Sequence, residues 1–84
     1  MSYLLHQLVM ESAQKNPDAV ALIYKDEEIT YSGLDFEIKR FASWLVAQGF
    51  NAGDRIAIYL EKRFEAVIAM FGASLAGCCF VPVN

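Results

Sequence analysis

NAGDRIAIYLEKRFEAVIAMFGASLAGCCFVPVN, residues 51–84, decides the fold. Gly53-Asp54 is a turn signal, and Ile56 to Leu60 is then a continuous apolar run. Such a run suits a strand buried on both faces of a parallel sheet. Phe64, Val67, Ile68, Phe71 and Leu75 follow at i, i+3, i+4, i+7 and i+11, the spacing of one helix face. Gly77 stands where a helix C-cap glycine would stand, and Cys79 to Val83 reads as a second buried strand. A strand–helix–strand unit sets its strands parallel with a right-handed crossover, and ligands in such folds gather past the strands' carboxyl ends.

Upstream, Leu4, Leu5, Leu8, Val9 and Ala13 make a stripe at helical spacing, which predicts a helix from Ser2 to Lys15 ended by Asn16-Pro17-Asp18. Ala19 to Tyr24 is a strand, Lys25-Asp26-Glu27 a polar turn, and Glu28 to Thr30 a short return strand. Together they form a hairpin expected on the flank of the main sheet. Thr30 opens a second helix whose buried face is Leu34, Ile38, Phe41, Ala42 and Leu45 and which Gly49 ends. Gly33 stands where a capping box would place Glu, so the reciprocal bond of that motif is lost. Trp44 falls one position off the stripe and is expected at the edge of the interface. The order helix, hairpin, helix, strand, helix, strand is an α/β pattern, an N-terminal helix and β-hairpin followed by a parallel β-α-β unit.

The chain has 84 residues, of which 56% are hydrophobic, above the usual ~45–50%. A free-standing domain this small should lean polar, because its surface is large relative to its core. The excess points to residues 1–84 as a single partial domain with faces that expect partners. The net charge of -3 with scattered Lys and Arg provides no basic patch, so nucleic acid is not an expected partner. Cys78 and Cys79 are adjacent, and neighbours on a strand point to opposite faces, which argues against a disulfide between them. The first residues lack a basic region and an unbroken apolar core, so no signal peptide is expected, and the location expected is cytoplasmic. Ala66 to Val83 is 18 residues without a charge, the lower edge of a membrane span. Gly72, Ser74, Gly77, Pro82 and a mid-way change from Ala-rich to β-branched composition argue against a span.

Each candidate for chemistry has a plainer structural explanation. Gly72-Ala-Ser-Leu-Ala-Gly77 has the glycine spacing of a phosphate-binding loop, but Cys78-Cys79 replaces the Lys-Ser/Thr pair and the glycines end a helix instead of opening one. Close helix–sheet packing plus a C-cap is the expectation there. His6 lies in the first helix without Cys, Asp or Glu at ligand spacing. Cys78 and Cys79 sit in an apolar setting, which raises a thiol's pKa and makes it inert. Asp26, Glu27 and Glu28 suit a solvated hairpin tip. Glu61, Lys62, Arg63 and Glu65 are the charged group at a strand's carboxyl end, where a site mouth or a solvated helix start would lie. Residue chemistry therefore supplies no catalytic constellation.

Four stretches, in order, match a family pattern. Ile29-Thr-Tyr-Ser-Gly-Leu-Asp35 resembles an early Leu/Thr-Tyr-x-Glu-Leu motif of the adenylate-forming enzymes, with Gly33 in place of Glu. Gly49-x-x-x-Gly53-Asp54-Arg55-Ile56-Ala57 resembles that superfamily's Gly-Asp-Arg-Val-Ala entry to the central strand. Leu75-Ala76-Gly77-Cys-Cys-Phe80-Val81-Pro82-Val83-Asn84 resembles Lys-Ala-Gly-x-x-Tyr-x-Pro-Leu-Asp, with Asn84 for Asp. Leu5-His6-Gln7-Leu8 and Pro17-Asp18-Ala19-Val20-Ala21 are similar to the usual opening. The superfamily includes AMP-forming acyl-CoA synthetases, adenylation domains of nonribosomal peptide synthetases and firefly-type luciferases. Asn84 leans toward the acyl-CoA branch, and Lys62-Arg63-Phe64-Glu65-Ala66-Val67 is similar to bacterial acyl-CoA ligases associated with exopolysaccharide and exosortase systems.

The resemblance implies a fragment of a larger adenylate-forming N-terminal domain. It also implies a two-step reaction of the whole enzyme. A carboxylate attacks the α-phosphate of ATP, with Mg²⁺ offsetting phosphate charge, to give an acyl-adenylate and pyrophosphate, and the thiol of CoA or of a carrier-protein phosphopantetheine then takes the acyl group and releases AMP. The phosphate loop, the ribose-binding aspartate and the C-terminal lysine of the family have no counterpart in this sequence. No catalytic, cofactor-binding or metal residue is therefore carried over, and the chain alone is expected to bind no cofactor and to be inactive. Its expected partner is the remainder of the enzyme, and self-association through the unpaired edge of Cys79 to Val83 is a further expectation. The rival reading is a non-catalytic interaction module that binds a partner through its apolar faces.

Overall fold

The computed structural model describes residues 2–59 and 64–83, with side chains from Gln7 onward, Tyr59 excepted. Seven elements follow one another: α1 (Ser2–Lys15), β1 (Val20–Tyr24), β2 (Glu27–Thr30), α2 (Tyr31–Ala47), β3 (Arg55–Tyr59), α3 (Phe64–Leu75) and β4 (Cys79–Val83). β1 and β2 pair antiparallel across the two residues Lys25 and Asp26, and Lys25 takes the left-handed φ of 55° that this reversal requires. β3 and β4 pair parallel, from Arg55 opposite Cys79 to Tyr59 opposite Val83. The hairpin is a sheet of its own and is not hydrogen-bonded to the parallel pair. It packs against α2, which corrects the expectation that it flanks the main sheet.

Helix ends are set by local chemistry. Thr30, extended at φ -78° and ψ 166°, is the N-cap of α2, and its hydroxyl accepts the Gly33 N–H at 3.2 Å. Half of the capping box survives the glycine, because that half uses only the backbone of the third residue. α2 and α3 stop in the same way. Gly49 donates to the Val46 carbonyl (3.1 Å) and Phe50 to the Leu45 carbonyl (3.1 Å); Gly77 donates to Ser74 (3.0 Å) and Cys78 to Ala73 (2.9 Å). Both glycines are left-handed, at φ 95° and 83°. Each pair of bonds is a Schellman motif, which satisfies carbonyls the helix leaves orphaned. In each, the residue after the glycine packs in the same apolar cluster as its helical partner, Phe50 with Leu45 and Cys78 with Ala73.

α3 lies between two layers. Val67, Ile68, Phe71 and Leu75, the stripe legible in the sequence, face α1 and α2, where Val9, Leu34 and Ile38 are buried. Ala69, Met70 and the fully buried Ala73 face a second cluster with Leu45, Ile58 and Cys78. The two strands are covered on one side only. Ile58 is buried, whereas Ala57 and Val81 are exposed. The expectation of strands buried on both faces is thus not met within this chain, because α3 supplies one layer and no second layer lies on the other side of the pair among the described residues. Leu8, placed on the buried stripe of α1, is 62% exposed. It lies 100° around the helix from the buried Val9, and α1 is packed by α2 and α3. The uncharged stretch from Ala66 divides into a helix ending at Leu75 and a strand starting at Cys79, and no described helix is long and apolar enough to cross a membrane.

Candidate functional site

The residues that carry the sequence motifs meet at the amino ends of the parallel strands. Gly53, at φ 90°, donates its N–H to the Gly77 carbonyl (2.9 Å), and Cys79 donates to the Asp54 carbonyl (2.7 Å). The Asp54 carboxylate accepts the Asn51 N–H at 2.8 Å, and the Asp54 N–H donates to the Asn51 carbonyl at 3.0 Å. The turn before β3 and the turn before β4 are thereby clasped to one another. A Cβ on Gly77 would lie 3.4 Å from Ala52 Cβ, so the left-handed backbone, more than lack of space, calls for glycine there. This clasp sets the register of the parallel pair from its first residue, Arg55 opposite Cys79. It lies at the end opposite the one where α/β sheets bind ligands.

The two thiols part as adjacent residues should. Cys78 is buried and Cys79 exposed, both free. Cys78 Sγ lies 3.6 Å from the Asn51 carbonyl, to which it donates. Burial pushes its pKa up, and the proximity of Asp54 and Cys79 adds to the shift. A protonated, enclosed thiol is a packing group, not a nucleophile.

Gly72 is the other glycine of the phosphate-loop spacing. A Cβ there would meet Phe41 Cδ2 at 2.6 Å and the Ile38 carbonyl at 3.2 Å. The close approach is between α3 and α2, not between helix and sheet as expected, because α3 turns its bulky stripe to the helices. His6 has its backbone in α1, and its side chain lies outside the described residues, as do Glu61, Lys62, Arg63 and Asn84. Asp26, Glu27, Glu28 and Glu65 are exposed to solvent. Among the described residues no three His, Cys, Asp or Glu side chains gather as a metal site would require.

A groove of about 730 Å³ opens between α2 and the start of α3. Phe41, Trp44, Ile68 and Ala69 line it, with Glu37, Arg40 and Glu65 as its charged side chains. Trp44 stacks on Phe41 with ring centroids 5.8 Å apart, at the interface edge where its position off the stripe put it. Arg40 is held by Glu37 at 2.6 Å. The groove offers apolar surface and a neutralised ion pair, a setting for packing and not for proton transfer. Sequence reasoning missed a further feature, the exposed Phe36 and Val46 on the outer side of α2. The signal was present: Phe36 and Val46 fall off the stripe of Leu34, Ile38, Ala42 and Leu45.

The family model described as "AMP-binding enzyme" matches residues 9–84. The chain belongs to the AMP-binding enzyme family. Among curated relatives, the chain is 44% identical over 68 residues to the Medium/long-chain-fatty-acid--CoA/3-oxocholest-4-en-26-oate--CoA ligase of Mycobacterium marinum, covering 81% of the chain and 12% of the relative. It is 36% identical over 80 residues to a linear gramicidin synthase polypeptide of Brevibacillus parabrevis, covering 95% of the chain and 1% of the relative. Among solved structures, the Klebsiella oxytoca NpsA N-terminal subdomain superposes with a TM-score of 0.88 at 34% identity, over 95% of the chain and 21% of that structure. The chain thus spans a small fraction of the proteins it matches, and it matches an N-terminal segment of adenylate-forming enzymes.

Proposed function

We propose that this chain is the N-terminal structural part of an AMP-forming ligase, one partial domain that builds a scaffold for adenylation performed by the rest of the enzyme. The parent would join a carboxylic acid to the α-phosphate of ATP, release pyrophosphate, and pass the acyl group to the thiol of CoA or of a carrier-protein phosphopantetheine. The observation that carries the scaffold role is the clasp. Gly53, Asp54 and Gly77 of the family motifs spend their hydrogen bonds and left-handed conformations on joining the two strands of the sheet. No step of the reaction is assigned to this chain's side chains. The higher identity to the CoA ligase supports CoA as the acceptor, and a cytoplasmic location, with ATP and CoA at hand, belongs to the same reading.

A chimera tests it. The chain replaces the corresponding segment of the M. marinum-type CoA ligase, and ATP–pyrophosphate exchange is followed with and without a fatty acid. Exchange that depends on the acid is the expected result, with none from the 84-residue chain alone. Exchange by the isolated chain would overturn the scaffold role. A chimera that folds, by circular dichroism and gel filtration, yet fails to exchange would overturn the assignment to this position in the ligase.

A further inference from the structure

The parallel pair is a sheet of two strands with one open face and two free edges. Arg55, Ala57, Cys79 and Val81 stand exposed on the open face, with the half-buried Val83 at its far end. Beyond Arg55 and the Cys79 thiol at the amino end, these side chains are apolar. Parallel sheets are covered on both faces, because their crossovers lay helices there. The two edges are not equivalent. Cys79 donates to the Asp54 carbonyl (2.7 Å) and stands opposite Arg55. By alternation Cys79, Val81 and Val83 turn their N–H and C=O groups to β3, whereas Phe80 and Pro82 turn theirs to the free edge of β4. A strand laid on that edge would meet no N–H at Pro82, and for this reason proline is confined to strands at the margin of a sheet. The free edge of β3 carries a full set, the N–H and C=O groups of Arg55, Ala57 and Tyr59.

We infer, on the ligase reading above, that the rest of the enzyme adds a parallel strand to the free edge of β3, and that the helix leading to this strand covers the open face of β3 and β4. The chain covers 12% of the CoA ligase and 21% of the NpsA structure, so most of such an enzyme lies outside it and can supply both elements. Handedness fixes the face. The crossover from β3 to β4 carries α3 on one side of the sheet. A right-handed crossover from β4 back past β3 travels the opposite way along the sheet, and therefore passes on the opposite side. The strand order that results is β4, β3, added strand, a doubly wound arrangement with helices on both faces.

The chemistry of the face fits this occupant. Ala57 is small and lets a helix come close, with Val81 and Val83 as apolar ground beside it. A crossover helix runs antiparallel to the strands, from their carboxyl ends to their amino ends. Its C-terminus carries partial negative charge from unpaired carbonyls, and it arrives at the end of the sheet that holds Arg55.

The ligase chimera and the isolated 84-residue chain are compared by two measurements. Iodoacetamide labelling of Cys79 is followed by peptide mass spectrometry, and residue-resolved hydrogen exchange is followed at the Ala57 and Phe80 amides. In the isolated chain Cys79 labels readily and both amides exchange freely. In the chimera, labelling of Cys79 and exchange of Ala57 are each expected to slow by roughly tenfold or more, while Phe80 exchanges as before. Unchanged labelling of Cys79 in a chimera that catalyses pyrophosphate exchange overturns the covering helix and leaves the ligase reading standing. Protection of Phe80, or an Ala57 amide that stays open, overturns the choice of edge. A chimera that folds but catalyses no pyrophosphate exchange overturns the ligase reading itself, and the added strand and helix fall with it.

Discussion

The two sides of α3 solve the same packing problem in opposite ways. Toward α1 and α2 the helix presents Val67, Ile68, Phe71 and Leu75, and room for α2 comes from one missing side chain, Gly72, over which Phe41 lies. Toward β3 and β4 it presents Ala69, Met70 and Ala73, and the bulk comes from the partners, Leu45, Ile58 and Phe80. Large residues against a single glycine leave little tolerance at one point. Small residues under a sheet spread the contact over a surface. The helix side is closed on itself, whereas the sheet side is backed on one face only. The contrast teaches that packing is closed around α3 and open beyond the strands.

Four substitutions would break or sharpen that contrast. The largest effect is expected from Leu45→Ala, because Leu45 is 1% exposed and packs with Ile58, Ala73 and Cys78. A loss of about 3–4 kcal/mol is expected in urea unfolding, with Cys78 becoming open to alkylation. If Cys78 stayed protected, the cluster on the sheet side would not depend on α2. Ile58→Thr, on the covered face of β3, should cost about 2–3 kcal/mol. The same kind of change on the open face, Val81→Thr, should stay within about 0.5 kcal/mol. Equal costs would mean that the open face is covered in solution. Gly72→Ala should cost about 1–2 kcal/mol, the overpacking against Phe41 being partly offset by the helix propensity of alanine. A stabilised Gly72→Ala would show that Phe41 can move aside and that the helix side is not the tight one.

The smallest effect is a pH dependence. The raised pKa of Cys78 means that folding prefers the neutral thiol. Its contribution is fully present below the unfolded thiol value of 9.0 and is lost as pH rises through the higher folded value. Stability should therefore fall more steeply above about pH 9 in the wild type than in Cys78→Ala. Parallel slopes for the two proteins would count against burial as the cause. Iodoacetamide at pH 8 should label Cys79 first, which mass spectrometry reads directly.

Much of the fold was legible because local signals agreed with it. Asn16-Pro17 stops α1, Thr30 caps α2, and Gly49 and Gly77 sit at left-handed helix exits, each dictated by the few residues around it. The parallel pairing followed from a helix between two apolar runs. Less legible was which partner each apolar face meets. The stripe from Phe64 to Leu75 reads the same whether it packs on strands or helices, and only the placement of α2 settles that it meets helices. Likewise Leu8 and Val9 are equally apolar, and packing against two helices on one side buries the second and exposes the first. For the candidate site, the motif residues could be named in order but not located in space. Their clasp consists of backbone hydrogen bonds between turns, Gly53 to Gly77 and Cys79 to Asp54, and no side-chain pattern encodes such contacts.

By itself, then, the sequence determined the order and type of the helices and strands, since caps, turns and periodicity are local matters of backbone conformation and hydrogen bonding, though β1, β2 and β3 start at Val20, Glu27 and Arg55 and not at Ala19, Glu28 and Ile56. It also determined the family, through the order and spacing of four short motifs. The tertiary structure alone decided that the hairpin stands apart from the parallel pair, that Gly72 receives Phe41, and that the strands leave Ala57 and Val81 on an open face. Those outcomes depend on how whole elements divide the apolar surface among themselves, and burial is non-directional, so no residue carries the answer alone.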